Sequence, residues 1–346
     1  MALVSLSCAL FYVPFEAGEP EMRALSNTMF RGVAHAIVVL TAGVFAGLAH
    51  SQTVPEMTAI KVAENSYYVQ GLAALGSPKN QNFISNAGFV IAKEGVVVVD
   101  ALGSPALAER LVKTIAAITP KPITHVLVTH YHADHIYGLQ TFKALGATII
   151  AQASAKEYID SDTARLRLQA SRVDLAPWVN EQTVITLPDQ WVNGGETLRL
   201  AGTEFRLELV GPSHTPEDLA IWVPSERVLF SGDLIFNGRL PFVGKADSSH
   251  WIKALDTMLS FDAIAVVPGH GRWSDNPRAD ITLMRDYLGY LRKTMGEAVD
   301  NLTAFDDAYE STDWGRFQSV PMFKFANRMN AYNTYLLMEA EGLRAK

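Results

Sequence analysis

Among its 346 residues the chain has a single cysteine, Cys8, close to the N-terminus. A lone thiol so placed excludes a disulfide framework and leaves the folded body without a thiolate ligand or a cysteine nucleophile. The chain also lacks a basic cluster: 29 Lys and Arg stand against 36 Asp and Glu, for a net charge of −7. Nothing in that pattern attracts the phosphates of a nucleic acid. No linker rich in Gly, Ser or Pro divides the sequence, which points to one domain. With 49% apolar residues, a chain this long can bury a large core.

One apolar run stands apart, "GVAHAIVVLTAGVFAGLA" (32–49), preceded by Arg31 and followed by "AHSQT". Small residues at −3 and −1 of a cut after Ser51 make residues 1–51 a signal peptide. A run of this length can also act as a retained membrane anchor. Residues 1–28 are poorly suited to a basic n-region, which makes Met29 a candidate start. The leader reading expects an exported protein, periplasmic or secreted, with no stable membrane association once the signal is removed.

Beyond the leader, "AIKVAENSYYVQG" (59–71) and "NAGFVIAKEGVVVVDA" (86–101) read as strands, the second as a hairpin about "KEG". "SPALAERLVKTIAAIT" (104–119) has helical spacing, with Ser104 as N-cap and Pro105 in the first turn. "ITHVLVT" (123–129) is a buried strand, "GLQTFKALG" (138–146) a short helix and "ATII" (147–150) a strand. "TVITL" (183–187), "ETLRLAGTEFRLELVG" (196–211) and "DLAIWVPSERVLFSGD" (218–233) form a second β-rich stretch. "HWIKALDTMLSF" (250–261) is a helix, "AIAVVPG" (263–269) a strand, and the chain is helical from Asn276 onward. Two β-rich halves with helices outside predict an α/β fold, a four-layer αββα sandwich over 52–275 with a helical C-terminal extension over 276–346 packed on it. The segments 72–85 and 160–182 are expected to be specificity loops.

Five of the seven histidines beyond the leader sit in compact motifs, each expected just past a strand: "HYHADH" (130–135), "GPSHTPED" (211–218) and "PGHG" (268–271), with "SGDL" (231–234) between the last two. Strand exits on one edge of a sheet are neighbours, so these motifs can converge. Imidazoles and carboxylates without thiolate suit zinc, and also iron or manganese. His130 and His132, on an extended loop, can clamp one ion with His214. Asp134 and His135 can turn to a second ion with His270, and Asp233 is placed to bridge them. Two zinc ions per chain could then share and acidify a water for attack on a small-molecule substrate. Asp134 is the candidate catalytic residue, because one carboxylate can both ligate and orient that water.

These residues resemble the metallo-β-lactamase superfamily, whose motif is His-x-His-x-Asp-His followed by His, Asp and His; the likeness runs from about Val62 to Trp273. The resemblance implies the ligand assignment above. It also gives Asp100, at the end of "VVVVD", the role of supporting the metal loop. Class B1 β-lactamases carry a cysteine where this chain has Asp233, which argues against close kinship. The glutathione-gripping pattern of glyoxalase II is not evident, nor are the extra domains of the ribonuclease-type members. The stretch 232–258, with "HIYG" after the ligands, looks most like exported quinoprotein relay system zinc metallohydrolases, or SoxH-like proteins. That resemblance implies hydrolysis of an ester, thioester, lactone or amide bond, β-lactams among the candidates. Two alternatives stay open: a mononuclear iron persulfide dioxygenase-like enzyme, and a non-catalytic accessory protein of a periplasmic quinoprotein.

Around the ligands, Tyr131 is expected to face the cleft. Arg239 and Lys245 are candidates for binding an anionic substrate group, with solvated loop charges as the alternative. Trp178, Trp191 and Phe242 could line an apolar pocket or pack in the core. His125 reads as a core histidine and His250 as a helix-terminal surface residue. The stretch 319–341 reads as an amphipathic helix packing on the sandwich.

Overall fold

The structure, a computed structural model, describes residues 56–244 and 246–344. The expected signal peptide and Lys245 lie outside the described residues. Among those described, no helix is long and apolar enough to cross a membrane. The first half holds strands β1 (Ala59–Lys61), β2 (Ser66–Val69), β3 (Ala87–Ile91), β4 (Val96–Val99), β5 (Ile123–Leu127), β6 (Thr148–Gln152) and β7 (Gln190–Val192). Among them run helices α1 (Pro105–Ala116), α2 (Ala133–Ile136), α3 (Leu139–Ala144), α4 (Ala155–Ile159) and α5 (Asp162–Asp174). The second half holds β8 (Glu196–Leu200), β9 (Thr203–Leu209), β10 (Leu219–Val223), β11 (Val228–Asn237), α6 (Ser248–Met258) and β12 (Ala265–Gly271). Helices α7 (Pro277–Asp300), α8 (Phe305–Ser311) and α9 (Phe323–Arg344) follow.

β1 to β7 form one sheet in sequence order, antiparallel to β4 and parallel from there. The other sheet runs β12-β11-β10-β9-β8, with only β11 and β12 parallel. The parallel pairs follow from helical crossovers, because a parallel connection must return along the sheet. β4 is Val-Val-Val-Val, buried throughout, as a strand covered on both faces must be. Val97, Val99, Leu127 and Ile150 of the first sheet share a core with Phe205, Leu207, Ile221 and Phe230 of the second. A second core lies between the first sheet and α1 and α3, built on Phe89, Val98, Leu107, Leu111 and Phe142. A third joins the other sheet to α6 and α7 through Trp222, Trp251, Leu255, Leu288 and Leu291. These layers are the expected αββα sandwich with its helical extension. Ser104 caps α1 as predicted, its side chain accepting from the Leu107 N–H.

Two local expectations fail. Residues 183–187 form no strand; the edge strand is β7, a few residues later. There the backbone is taken by side chains: the Thr183 carbonyl accepts from Arg172 Nη2, and the Val184 N–H donates to Gln140 Oε1. Most of 160–182 is not a loop, since α5 occupies 162–174, capped by Ser161 on the Ala164 N–H. The expected helix α9 packs on the body, with Ala326 and Ala331 in the third core, and its buried face also carries Asn327, Asn330 and Thr334. Asn330 explains the polar face: its Oδ1 accepts from the Val243 N–H, and its amide donates to the Pro241 carbonyl and the Tyr287 hydroxyl. The helix is fastened by hydrogen bonds to the loop that follows β11.

Candidate metal centre

The edge at which both sheets present their functional loops is organised by Asp100. This residue leaves β4 with φ +63°, a conformation that Asp tolerates better than most residues. Its Oδ1 accepts from the Thr129 N–H at 2.8 Å; its Oδ2 accepts from Thr129 Oγ1 at 2.8 Å and from His135 Nδ1 at 2.9 Å. Thr129 Oγ1 in turn accepts from His130 Nδ1 at 3.0 Å. The Ile84 carbonyl accepts from His270 Nδ1 at 2.7 Å. With their Nδ1 protons engaged, His130, His135 and His270 are fixed with Nε2 free, the tautomer a ligand needs.

One local expectation is corrected here, the placement of Asp233 and His270. His132 has extended backbone as expected, at the N-cap of the short helix α2 that carries Asp134 and His135. Asp233 and His270 sit inside β11 and β12 rather than past their ends. They still reach the site because the β11–β12 register shifts on both sides of Gly232, and a bulge re-aims the strand. Gly232 adopts φ +51°, and a Cβ there would meet Thr129 Oγ1 at 2.7 Å. At Gly269 a Cβ would stand 2.0 Å from Asp233 Oδ1. Both positions require glycine.

The seven expected ligands come together in two adjoining groups. In the first, His132 Nδ1 stands 3.1 Å from His130 Nε2 and 2.9 Å from His214 Nε2. In the second, Asp134 Oδ2 lies 3.7 Å from His135 Nε2 and 3.3 Å from His270 Nε2. Asp233 reaches both: Oδ1 is 3.2 Å from His135 Nε2, and Oδ2 is 3.2 Å from His270 Nε2 and 3.4 Å from His214 Nε2. Within each group the donor atoms lie within 4.8 Å of one another, Asp233 counting with the first. His135 Nε2 and Asp233 Oδ1 are buried without a hydrogen-bond partner among the described residues. Buried polar atoms are rarely left so. Converging nitrogen lone pairs and orphaned donor atoms fit a pair of cations.

The two groups differ electrically. Burial, reinforced by its neighbour His132, pushes His214 down to about 3. Burial likewise lowers His132, and burial with His135 lowers His130 well below the usual histidine range. The first group is thus three neutral imidazoles. Burial acts in the same sense on His270 and His135, but carboxylates outweigh it. Asp233 and Asp134 raise His270 to about 8, and those two with Asp100 hold His135 well above its ordinary value. Burial opposes ionisation of Asp134 and Asp233, yet the facing histidines keep both carboxyls well below the usual range.

The surrounding residues divide. Tyr131 stacks on Tyr158 of α4, ring centroids 3.9 Å apart, and meets the edge of His132, so it borders the ligands. Arg239 is not a solvated charge: it is only 3% exposed, and its Nε and Nη1 have no hydrogen-bond partner among the described residues. Phe242 packs beneath its guanidinium. Trp191 packs on the first sheet's core, and Trp178 donates from Nε1 to the Pro78 carbonyl. His125 is half-buried, with Nδ1 2.9 Å from Thr124 Oγ1, and His250 is exposed at the start of α6. Sequence reasoning missed Asn86 and Glu217. Asn86 donates to the carbonyls of Pro268 and Gly271, tying the first sheet to the His270 loop. Glu217 Oε1 accepts from the Tyr131 N–H at 2.9 Å, tying the two loops of the first group; burial raises it to about 7. Neither has a local signal beyond its place beside a motif.

Comparison with known proteins agrees with this geometry. The profile of the metallo-beta-lactamase superfamily matches residues 81–270. The metallo-beta-lactamase IND-1 of Chryseobacterium indologenes is 23% identical over 208 residues, 59% of this chain and 78% of that enzyme. A linear primary-alkylsulfatase of Pseudomonas sp. is 25% identical over 239 residues, 58% of this chain and 44% of that protein. In structure, a metallo-beta-lactamase from Pontibacter korlensis superposes with a TM-score of 0.53 at 20% identity, over 68% of this chain and 99% of its own. The sec-alkylsulfatase Pisa1 from Pseudomonas sp. reaches 0.64 at 17% identity, over 81% of this chain and 50% of its own. The residues matched by the profile span all seven candidate ligands, and the chain belongs to the metallo-beta-lactamase superfamily.

Proposed function

We propose that this chain is an exported dinuclear zinc hydrolase of ester, thioester, lactone or amide bonds, in the branch resembling quinoprotein relay system zinc metallohydrolases. The observation that carries the hydrolytic reading is Asp233, whose two carboxylate oxygens reach both ligand groups at once. Three neutral imidazoles beside an acid-rich second group suit two borderline cations better than one. When bound, such a pair supplies the Lewis acidity that activates water and polarises the scissile bond. The protein's own residues do the rest. Asp134, whose side chain is 18% exposed where His135 and Asp233 are nearly sealed, can accept a hydrogen bond from the attacking water and orient it. Asp100 and Thr129 hold the imidazoles so that no reorganisation is needed.

The test is metal analysis joined to a turnover panel of esters, thioesters, lactones and lactams. About two zinc per chain are expected, with activity that a chelator removes and zinc restores. One iron per chain would instead place the protein with the persulfide dioxygenase-like enzymes. Two zinc with no turnover of any substrate would favour an accessory role beside a quinoprotein.

A further inference from the structure

Helix α9 carries apolar residues on two opposite faces. Its inner face buries Ala326, Asn327, Asn330, Ala331 and Thr334. A surface helix engaged on one side normally turns charged and polar residues outward. Instead Phe325, Met329, Tyr332 and Leu336 stand 63%, 46%, 45% and 42% exposed, and Leu343 follows at 76%. At about 3.6 residues per turn these positions fall on one line, roughly opposite the buried set. Half-buried Phe305 of α8 widens the line, its ring 4.9 Å from that of Tyr332. A contiguous apolar stripe of this kind on the outside of a fold marks an interaction surface.

The spacing of the stripe says what covers it. From Phe325 the steps to Met329, Tyr332 and Leu336 are four, three and four residues, a pattern that reads the same in both directions. Two antiparallel copies therefore mesh, Phe325 of each against Leu336 of the other and Met329 against Tyr332, as in the seam of an antiparallel coiled coil. A two-fold axis requires such symmetry, because one surface must serve both sides. The charges agree. Lys324 and Glu339 are exposed towards opposite ends of the stretch and form no ion pair among the described residues. The pairing that meshes the apolar residues brings Lys324 of one copy within about two residues, or about 3 Å along the axis, of Glu339 of the other. A parallel arrangement would set like charges together. Arg328, near the middle, is already paired with Asp306 and Glu310, so it carries no bare charge into the seam. We infer that α9 is a homodimer interface, in which two copies of the chain pair their α9 helices antiparallel about a two-fold axis beside Asn330 and Ala331.

One helix face, about 27 Å long from Phe325 to Leu343, is small for a specific interface. The dimer is therefore expected to exchange with monomer at a Kd of about 1–100 µM. Sedimentation equilibrium of the purified full chain, from about 1 to about 500 µM, covers that range. Met329→Glu leaves the buried face intact and should weaken the dimer at least about 10-fold, with native far-ultraviolet dichroism. Leu336→Lys carries the same test should Met329→Glu fail to fold. Lys324→Glu should weaken the dimer about 3- to 10-fold, because two exposed ion pairs are lost per dimer. Adding Glu339→Lys to the same chain should restore it. A chain still monomeric at the highest concentration overturns the inference, as does a dimer indifferent to Met329→Glu, which must use another surface. A double variant no tighter than Lys324→Glu overturns the antiparallel pairing. Flotation with phosphatidylglycerol vesicles tests the other occupant: binding of monomer that Met329→Glu abolishes would give the stripe to a lipid surface and overturn the dimer.

Discussion

The electrical difference between the two ligand groups predicts that two ions enter with different proton costs. At neutral pH in the metal-free protein, His130, His132 and His214 are neutral; an ion can join them without displacing a proton. His270 is held at about 8 and His135 well above its ordinary value, so an ion in the second group must expel protons. At pH 6, two units below the His270 value, about one His270 in 100 is neutral, and that residue alone weakens the second ion about 100-fold relative to pH above 8. His135 adds in the same direction. The first ion repels these protons through the shared Asp233, which reduces the slope but leaves its sign. The expected result is a first-ion affinity nearly flat from pH 6 to 8 and a second-ion affinity that rises with pH throughout. Zinc titrations of chelator-treated protein at pH 6, 7 and 8, each in two buffers of different ionisation enthalpy, read affinity and proton release together. Equal proton release for both ions would refute the assignment of charge to the second group, as would a second affinity independent of pH.

His132→Ala should lose the first ion and all hydrolysis while far-ultraviolet dichroism stays native, since three apolar cores carry the fold; His125→Ala serves as the control that keeps its metals. Asp233→Asn should lower metal content to about one ion per chain, and retention of two with full rate would remove the bridging role. Asp134→Asn should cut the rate by about 10²-fold or more, the range for a positioned acid–base group, measured at saturating zinc. Glu217 gives a stability signature in the metal-free protein. Its folded value of about 7 lies above the usual 4.5, so the fold holds its proton more tightly than the unfolded chain does. This group's contribution to stability is therefore complete below about pH 4.5 and is lost, by about 3 kcal/mol, as pH rises through 7. In Glu217→Gln, urea unfolding across that window should show this loss removed, and an unchanged pH profile would contradict it.

The sequence determined the chemistry by itself, because ligand type and spacing are local properties. "HYHADH" directly after the strand "ITHVLVT" names four donors whatever the distant chain does, and Ser104 before Pro105 starts a helix by satisfying a nearby N–H. The apolar runs on either side of "KEG" set the β3–β4 hairpin for the same short-range reason. Where the determining contact is distant in sequence, the pattern carried no signal. Residues 183–187 are rich in β-branched side chains like a strand, but their backbone bonds go to Arg172 and Gln140. Asp233 and His270 face inward because Gly232 lets β11 bulge beside Thr129, and because Gly269 leaves room for Asp233. Which histidine nitrogen is free was decided by Asp100, Thr129 and the Ile84 carbonyl. Arg239 reads in sequence as a candidate for an anionic substrate group or as a solvated loop charge, and the local pattern does not choose between them. Only tertiary packing decides, burying it to 3% exposure between Phe236 and Phe242 and against residues of α7 and the 317–321 segment.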